Sequence, residues 1–179
     1  MRPDPNEPTP TTPEEVQVYI MKYKLRPMER KFLWASLDLP KRESNHIFLY
    51  GTLMDPEQLR KVLQLEHTPS LQPATTVNWK IMLWGQYPAL VFKPGNITHG
   101  MAYEVQKESQ MESHLDLLKT YETEAYKVQG CVIKFGNGRE TMGKTFVYNG
   151  DENLLKEGSF DLKDWQMEQL DRKAFIEKG

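Results

Sequence analysis

The chain has 179 residues, 39% of them hydrophobic and 11% aromatic, enough for one domain with one sizeable core. Its formal charge is −2, so no basic excess points to nucleic acid and no positive stripe to a membrane surface. The one cysteine, Cys131, excludes an intrachain disulfide framework and fits a reducing, cytoplasmic compartment.

Residues 1–12 are rich in Pro, Thr and acid, with prolines at 3, 5, 8 and 10. This predicts a disordered tail, and without an apolar stretch it does not resemble a secretory signal. Thr12-Pro13-Glu14-Glu15 is a helix start: a capping hydroxyl, a proline suited to the first helical position, and acids at the positive end of the dipole. Val16, Tyr19, Ile20 and Tyr23 follow at helical spacing, Pro27 interrupts, and residues 28–37 predict a second short helix. Residues 13–45 therefore form a helical N-terminal extension, and residues 46–179 the main domain.

Ile47-Phe48-Leu49-Tyr50 is the apolar run of a buried strand. Gly51-Thr52-Leu53 makes a tight connection, and Asp55 and Pro56 open a helix through about Leu65. Strands are expected over 75–83, 89–92 and 99–105, with a loop at Trp84 to Pro88 and a turn at Pro94-Gly95-Asn96. A helix over 109–122 comes next, then a strand over 126–135, a hairpin turn at Gly136-Asn137-Gly138 and a returning strand over 144–148. Asp161 caps a last helix towards Phe175, with Leu162, Trp165, Met167 and Leu170 as its apolar stripe. The fold class is α+β: a small, mixed, mostly antiparallel sheet or barrel of five to seven strands flanked by helices.

The sequence carries no cysteine pair, no His-x-x-x-His, no P-loop, no dinucleotide glycine fingerprint and no nucleophile-elbow serine. Its four histidines (His46, His67, His99, His114) are scattered and are expected at the surface or at strand ends. Cys131 lies within a strand-like run and is expected in the core. What remains is the strand-to-helix turn at Tyr50 to Leu53. Its amides near a helix N-terminus can bind a carboxylate or a developing oxyanion. Taken alone, the same residues describe a plain connection, and Glu122 a solvated acid at a helix end.

Four segments, in order, resemble the γ-glutamylcyclotransferase-like (avirulence-induced-gene-like) family: Phe48-Leu49-Tyr50-Gly51-Thr52-Leu53-Met54-Asp55-Pro56, Gln86-Tyr87-Pro88-Ala89-Leu90-Val91, Gly100-Met101-Ala102-Tyr103-Glu104-Val105, and Leu118 to Tyr126 around Glu122. The likeness spans about residues 46–165. Phe146 to Asp151 with Gly158 to Leu162 further resembles the fungal branch. The resemblance implies a small β-barrel with a cavity for a γ-glutamyl group. It implies that Glu122 is general base and acid, and that Tyr50, Gly51, Thr52 and Leu53 supply main-chain contacts to the substrate. Tyr87, Pro88, Tyr126 and Tyr148 then shape the pocket. No metal or cofactor is implied, the partner is a small γ-glutamyl compound, and a homodimer stays open. One departure is that Lys119 stands where many members carry an aspartate three residues before the glutamate. A non-catalytic binding module on the same fold is the other reading. An open pocket uniting Glu122 with the 51–53 turn favours the enzyme, whereas a pocket filled by the N-terminal extension favours the module.

Overall fold

The computed structural model describes residues 7–26, 29, 30, 33 and 44–177. Helix α1 (Pro13–Tyr23) begins where the sequence places it. The Thr12 hydroxyl accepts from the Glu15 N–H, and the Glu15 carboxylate accepts in return from the Thr12 N–H. Residues 7–12 form no helix or strand, but Glu7 bonds Lys22 and Tyr23. Residues 29, 30 and 33 are helical, and the rest of the helix expected over 28–37 lies outside the described residues.

Five strands close a barrel: β1 (His46–Leu49), β2 (Leu71–Trp84), β3 (Tyr87–Glu104), β4 (Tyr126–Phe135) and β5 (Glu140–Tyr148), in the order β1-β3-β2-β4-β5. β1 and β5 pair in parallel where the barrel closes, and the other pairs are antiparallel. The expected mixed, mostly antiparallel barrel is thus present, with five strands. Three further helices flank it, α2 (Pro56–Leu63), α3 (Met111–Glu122) and α4 (Leu162–Glu177).

Side chains alternate along β1 because successive Cβ atoms point to opposite faces. Phe48 and Tyr50 pack with Trp79, Leu90, Cys131 and Val147, so residues from all five strands fill the interior. Ile47 and Leu49 instead pack outward against Leu59 and Leu63 of α2 and Leu115 and Leu118 of α3. Both faces of β1 are therefore buried, which is why its sequence is a continuous apolar run rather than an alternating one.

The expected turn at 94–96 does not end a strand. β3 runs unbroken from 87 to 104, because Val77 pairs with Ile97 and Trp79 with Phe92, so residues 93–96 bulge opposite Asn78 alone. Asn78 (φ +67) accepts the Gly95 N–H on its side chain at 3.0 Å, and Gly95 takes φ +84. The turn signal was genuine, and it was spent on a bulge that bends the hairpin around the barrel. β2 and β5 also start earlier than expected, at Leu71 and Glu140.

Helix α1 packs on β2 and β4. Gln17 Nε2 donates to the Gly130 carbonyl at 2.9 Å, Glu14 pairs with Lys134 at 2.7 Å, and Met21 reaches the interior cluster. At α4, the Asp161 carboxylate accepts from the Lys163 and Asp164 amides, as expected of a cap. Its stripe is only partly covered: Leu162 and Trp165 are half-buried, while Met167 and Leu170 are exposed. Cys131 is fully buried, and burial pushes its thiol up to about 12. His67 and His99 are exposed, but His46 and His114 are buried; His114 stacks on Tyr103 beneath α3. Among the described residues, no helix is long and apolar enough to cross a membrane.

Candidate active site

β1 delivers Tyr50 to one end of the barrel, where a 3-10 turn (Thr52–Met54) follows directly. The turn closes through Met54 N–H to the Gly51 carbonyl and Asp55 N–H to the Thr52 carbonyl. The N–H groups of Thr52 and Leu53 thus head the turn with no carbonyl inside it to accept them. Gly51 is needed here for space rather than for an unusual φ, which is −125°. A Cβ at this position would stand 2.8 Å from Pro88 Cγ. Asp55 then caps α2, accepting the Glu57 and Gln58 amides, and its second oxygen accepts from Gln166 of α4.

The last turn of α3 brings Tyr121 and Glu122 to the same end. The Tyr121 hydroxyl bonds Thr52 Oγ1 at 2.9 Å and accepts from Gln58 Nε2 at 3.3 Å, tying α3 to the turn and to α2. Immediately after Glu122 the chain leaves the helix through Thr123 at φ +63, ψ −175. This conformation costs a residue with a side chain about 1–3 kcal/mol. Glu122 is half-buried, and its carboxyl makes no hydrogen bond among the described residues. Loss of solvation pushes it up to about 7, into the range a proton shuttle needs.

The tyrosines around it are held by carbonyls. Tyr50 donates to the Phe146 carbonyl at 2.6 Å, and Tyr126 to the Pro88 carbonyl at 2.9 Å. Burial, reinforced by the nearby Glu122 charge, raises both phenols, so they stay protonated. The β2–β3 hairpin supplies the remaining wall. Trp84 and Tyr87 are cross-strand partners around a two-residue turn with Gly85 at φ +62. A reciprocal pair of bonds between Leu83 and Lys156, 2.8 and 2.9 Å, fastens this hairpin to the segment after β5.

These elements enclose a cavity of about 450 Å³. Of the residues singled out in the sequence, Tyr50, Gly51, Thr52, Leu53, Tyr87, Pro88, Glu122 and Tyr126 all line it. Tyr148 stands one ring back, against Tyr126 (centroids 6.1 Å apart) and Trp84 (5.8 Å). Glu124 is exposed and faces a shallow outer cleft with Lys119 and Lys127, apart from Glu122. Trp84, Tyr121 and Phe146, with Phe48, Leu49 and Thr123, complete the lining without having been named as site residues. Gly85-Gln86 as a two-residue hairpin turn was the available signal for the first of them, since it makes Trp84 the cross-strand partner of Tyr87. No described residue of the N-terminal extension contributes, and the described residues hold no cluster of three potential ligands for a metal ion.

A family model described as gamma-glutamyl cyclotransferase, AIG2-like, matches residues 47–167. Two Arabidopsis thaliana proteins solved in solution share the fold. One is 23% identical, with a TM-score of 0.52 over 77% of this chain and 89% of its own. The other is 19% identical, with a TM-score of 0.54 over 77% of this chain and 81% of its own. No match emerges among curated proteins.

Proposed function

This chain belongs to the gamma-glutamyl cyclotransferase, AIG2-like family, and from that premise we propose that it cyclises a γ-glutamyl compound, releasing 5-oxoproline and an amine or amino acid. The observation that carries the proposal is Glu122, a carboxyl with a raised pKa and no hydrogen-bond partner among the described residues, lining one cavity with the open amides of the 52–54 turn.

The substrate's α-amine attacks its own γ-carbonyl carbon. A new C–N bond closes the five-membered lactam while the original amide C–N bond breaks. Glu122 takes the proton that the attacking nitrogen loses and returns it to the departing nitrogen. The Thr52 and Leu53 N–H groups meet the negative charge that develops on the carbonyl oxygen. The walls formed by Tyr50, Pro88 and Tyr126 hold the chain folded for ring closure, which removes much of the entropic barrier. Water is neither consumed nor formed.

A pocket filled by the N-terminal extension would favour a silent binding module; α1 lies on β2 and β4 and no described residue of the extension lines the cavity, which supports a working site. The buried, reduced Cys131 fits a cytoplasmic enzyme. The test is 5-oxoproline, followed by mass spectrometry, from a panel of γ-glutamyl compounds with Glu122→Gln alongside. Lactam from the native protein alone supports the reaction and its proton carrier. Equal lactam from the variant refutes the role of Glu122.

A further inference from the structure

The cavity wall supplied by the β2–β3 hairpin is aromatic and partly uncovered. Trp84 is 36% exposed and Tyr87 47%, although both line the cavity. They close the β2–β3 hairpin as a cross-strand pair, so their rings share one face. Trp84 rests on Tyr148, and Tyr148 on Tyr126. Large exposed rings beside a cavity, held from behind by further rings, are a surface awaiting an apolar group.

Charge narrows the choice. Among the described residues lining the cavity there is no lysine, arginine or histidine, and the carboxylate of Glu122 is its one acidic group. Lys119 and Lys127 line the outer cleft on the other side of Thr123 and Tyr126, Lys119 is already paired with Asp116 at 3.1 Å, and Lys156, bonded through its backbone to Leu83, is not among the lining residues. A γ-glutamyl unit already brings one carboxylate into a cavity that has no cationic side chain among its described lining residues. A second carboxylate, on the departing group, meets no cation and lies near Glu122, an arrangement that disfavours binding.

Resting on the cyclotransferase reading, we infer that the departing group is an aromatic or extended apolar amine without a carboxylate, seated between Trp84 and Tyr87. The preferred substrates are then γ-glutamyl amides of such amines rather than γ-glutamyl amino acids or peptides. The step is the one above, with the amine's nitrogen leaving as it receives the proton from Glu122.

Three synthetic probes separate ring from charge: γ-glutamyl-phenethylamide, γ-glutamyl-phenylalanine and γ-glutamyl-ethylamide. The first two differ only in a carboxylate, the first and third only in a phenyl ring. The phenethylamide is expected to exceed each of the others by about tenfold or more in kcat/KM, the size of discrimination a well-formed pocket supplies. Trp84→Ala and Tyr87→Ala are each expected to shrink the phenethylamide-to-ethylamide ratio by about tenfold. That ratio is internal to each variant, so a fall in the amount of folded protein does not move it. Lactam from γ-glutamyl-phenylalanine at a rate equal to or above that from the phenethylamide overturns this inference and leaves the cyclotransferase reading standing. Lactam from none of the three overturns both.

Discussion

At one end of the barrel a carboxyl group is held from water, and at the other an imidazole. Glu122 sits at the end formed by Tyr50, the β2–β3 hairpin and the start of β4. His46, the first residue of β1, sits at the opposite end against Phe135, the last residue of β4, with ring centroids 5.4 Å apart. Burial drives both towards neutrality, the carboxyl up to about 7 and the imidazole below its usual value. Neither makes a side-chain hydrogen bond among the described residues. The difference is what they face: a cavity of about 450 Å³ for Glu122, a phenyl ring for His46. A displaced pKa therefore does not mark a site here; the open space and the donors beside it do. The two ends also pull stability in opposite directions. The raised Glu122 contributes stability that is full below its ordinary value of 4.5 and lost as pH rises through about 7. The depressed His46 contributes stability that is full above its ordinary value of 6.5 and lost as pH falls below it.

The strongest test of the contrast is Glu122→Gln. On the proposed reaction, removing the carboxyl is expected to cut turnover by about 10²–10⁴-fold. The same change removes a poorly solvated charge, so at pH 8 the variant should be more stable than the native protein, on the order of 2 kcal/mol after solvent screening. That gain should vanish towards pH 4.5, the ordinary value for a glutamate. On the proposed reaction, kcat/KM of the native protein should fall as pH drops below about 7, where Glu122 takes up its proton. Thermal melts across this range, read beside the rates, check both halves. A variant that loses activity and stability together at pH 8 would make Glu122 a structural acid and dissolve the contrast.

Gly51→Ala probes the same end without touching a charge. The added methyl would meet Pro88 Cγ at 2.8 Å, and Pro88 belongs to a ring that cannot swing aside. The turn and the Tyr87-Pro88 wall must separate, and a displacement near 1 Å is expected to cost about 10²-fold in kcat/KM. Overpacking should also cost about 1–3 kcal/mol in denaturant melts. Gly138→Ala, with open space around it but φ +81, is the control. It should cost stability through backbone strain alone and leave kcat/KM in place.

These positions show which parts of the molecule the sequence could reveal. Local signals carried far: Thr12 and Asp55 cap where capping chemistry predicts, β4 spans the residues expected, and the double burial of β1 follows from its apolar run. Non-local pairing did not. Pro94-Gly95-Asn96 has the composition of a turn, and only the partner strand, with Asn78 opposite, makes it a bulge. Likewise nothing in the local sequence of Met167 and Leu170 distinguishes an exposed position from a covered one, since that depends on what lies across from α4. At the site, Glu122 and the 50–53 turn were legible through their resemblance to a family pattern. The steric reason for Gly51, the strained Thr123 and the Tyr121 bridge were not, because each depends on an atom contributed by a distant segment or on the conformation the closed fold imposes.

Tyr121→Phe sharpens the comparison by loosening Glu122 without altering its chemistry. The hydroxyl that joins Thr52 and Gln58 to the end of α3 would be lost, at about 1 kcal/mol of stability. Because the bridge sets the distance between carboxyl and amides, kcat should fall by up to about tenfold with KM little changed. A merely structural role would lower the melting temperature and leave kcat alone.

The smallest effect on activity is expected at the other end. His46→Leu replaces an imidazole whose two buried nitrogens have no hydrogen-bond partner among the described residues. Leaving such groups unpaired costs about 1–3 kcal/mol, so an apolar side chain of similar size should stabilise the protein. The gain should be larger at pH 6 than at pH 8. In the unfolded chain the imidazole takes up a proton near 6.5, whereas burial against Phe135, with Arg139 nearby, opposes this in the folded protein more than Glu104 favours it. Urea titrations at the two pH values measure it. Lactam formation should stay within about twofold of native, since His46 is not among the residues that line the cavity. A stable His46→Leu protein that had lost turnover would tie the two ends together energetically. It would also mean that a buried imidazole facing only a phenyl ring can still govern chemistry at the other end of the barrel.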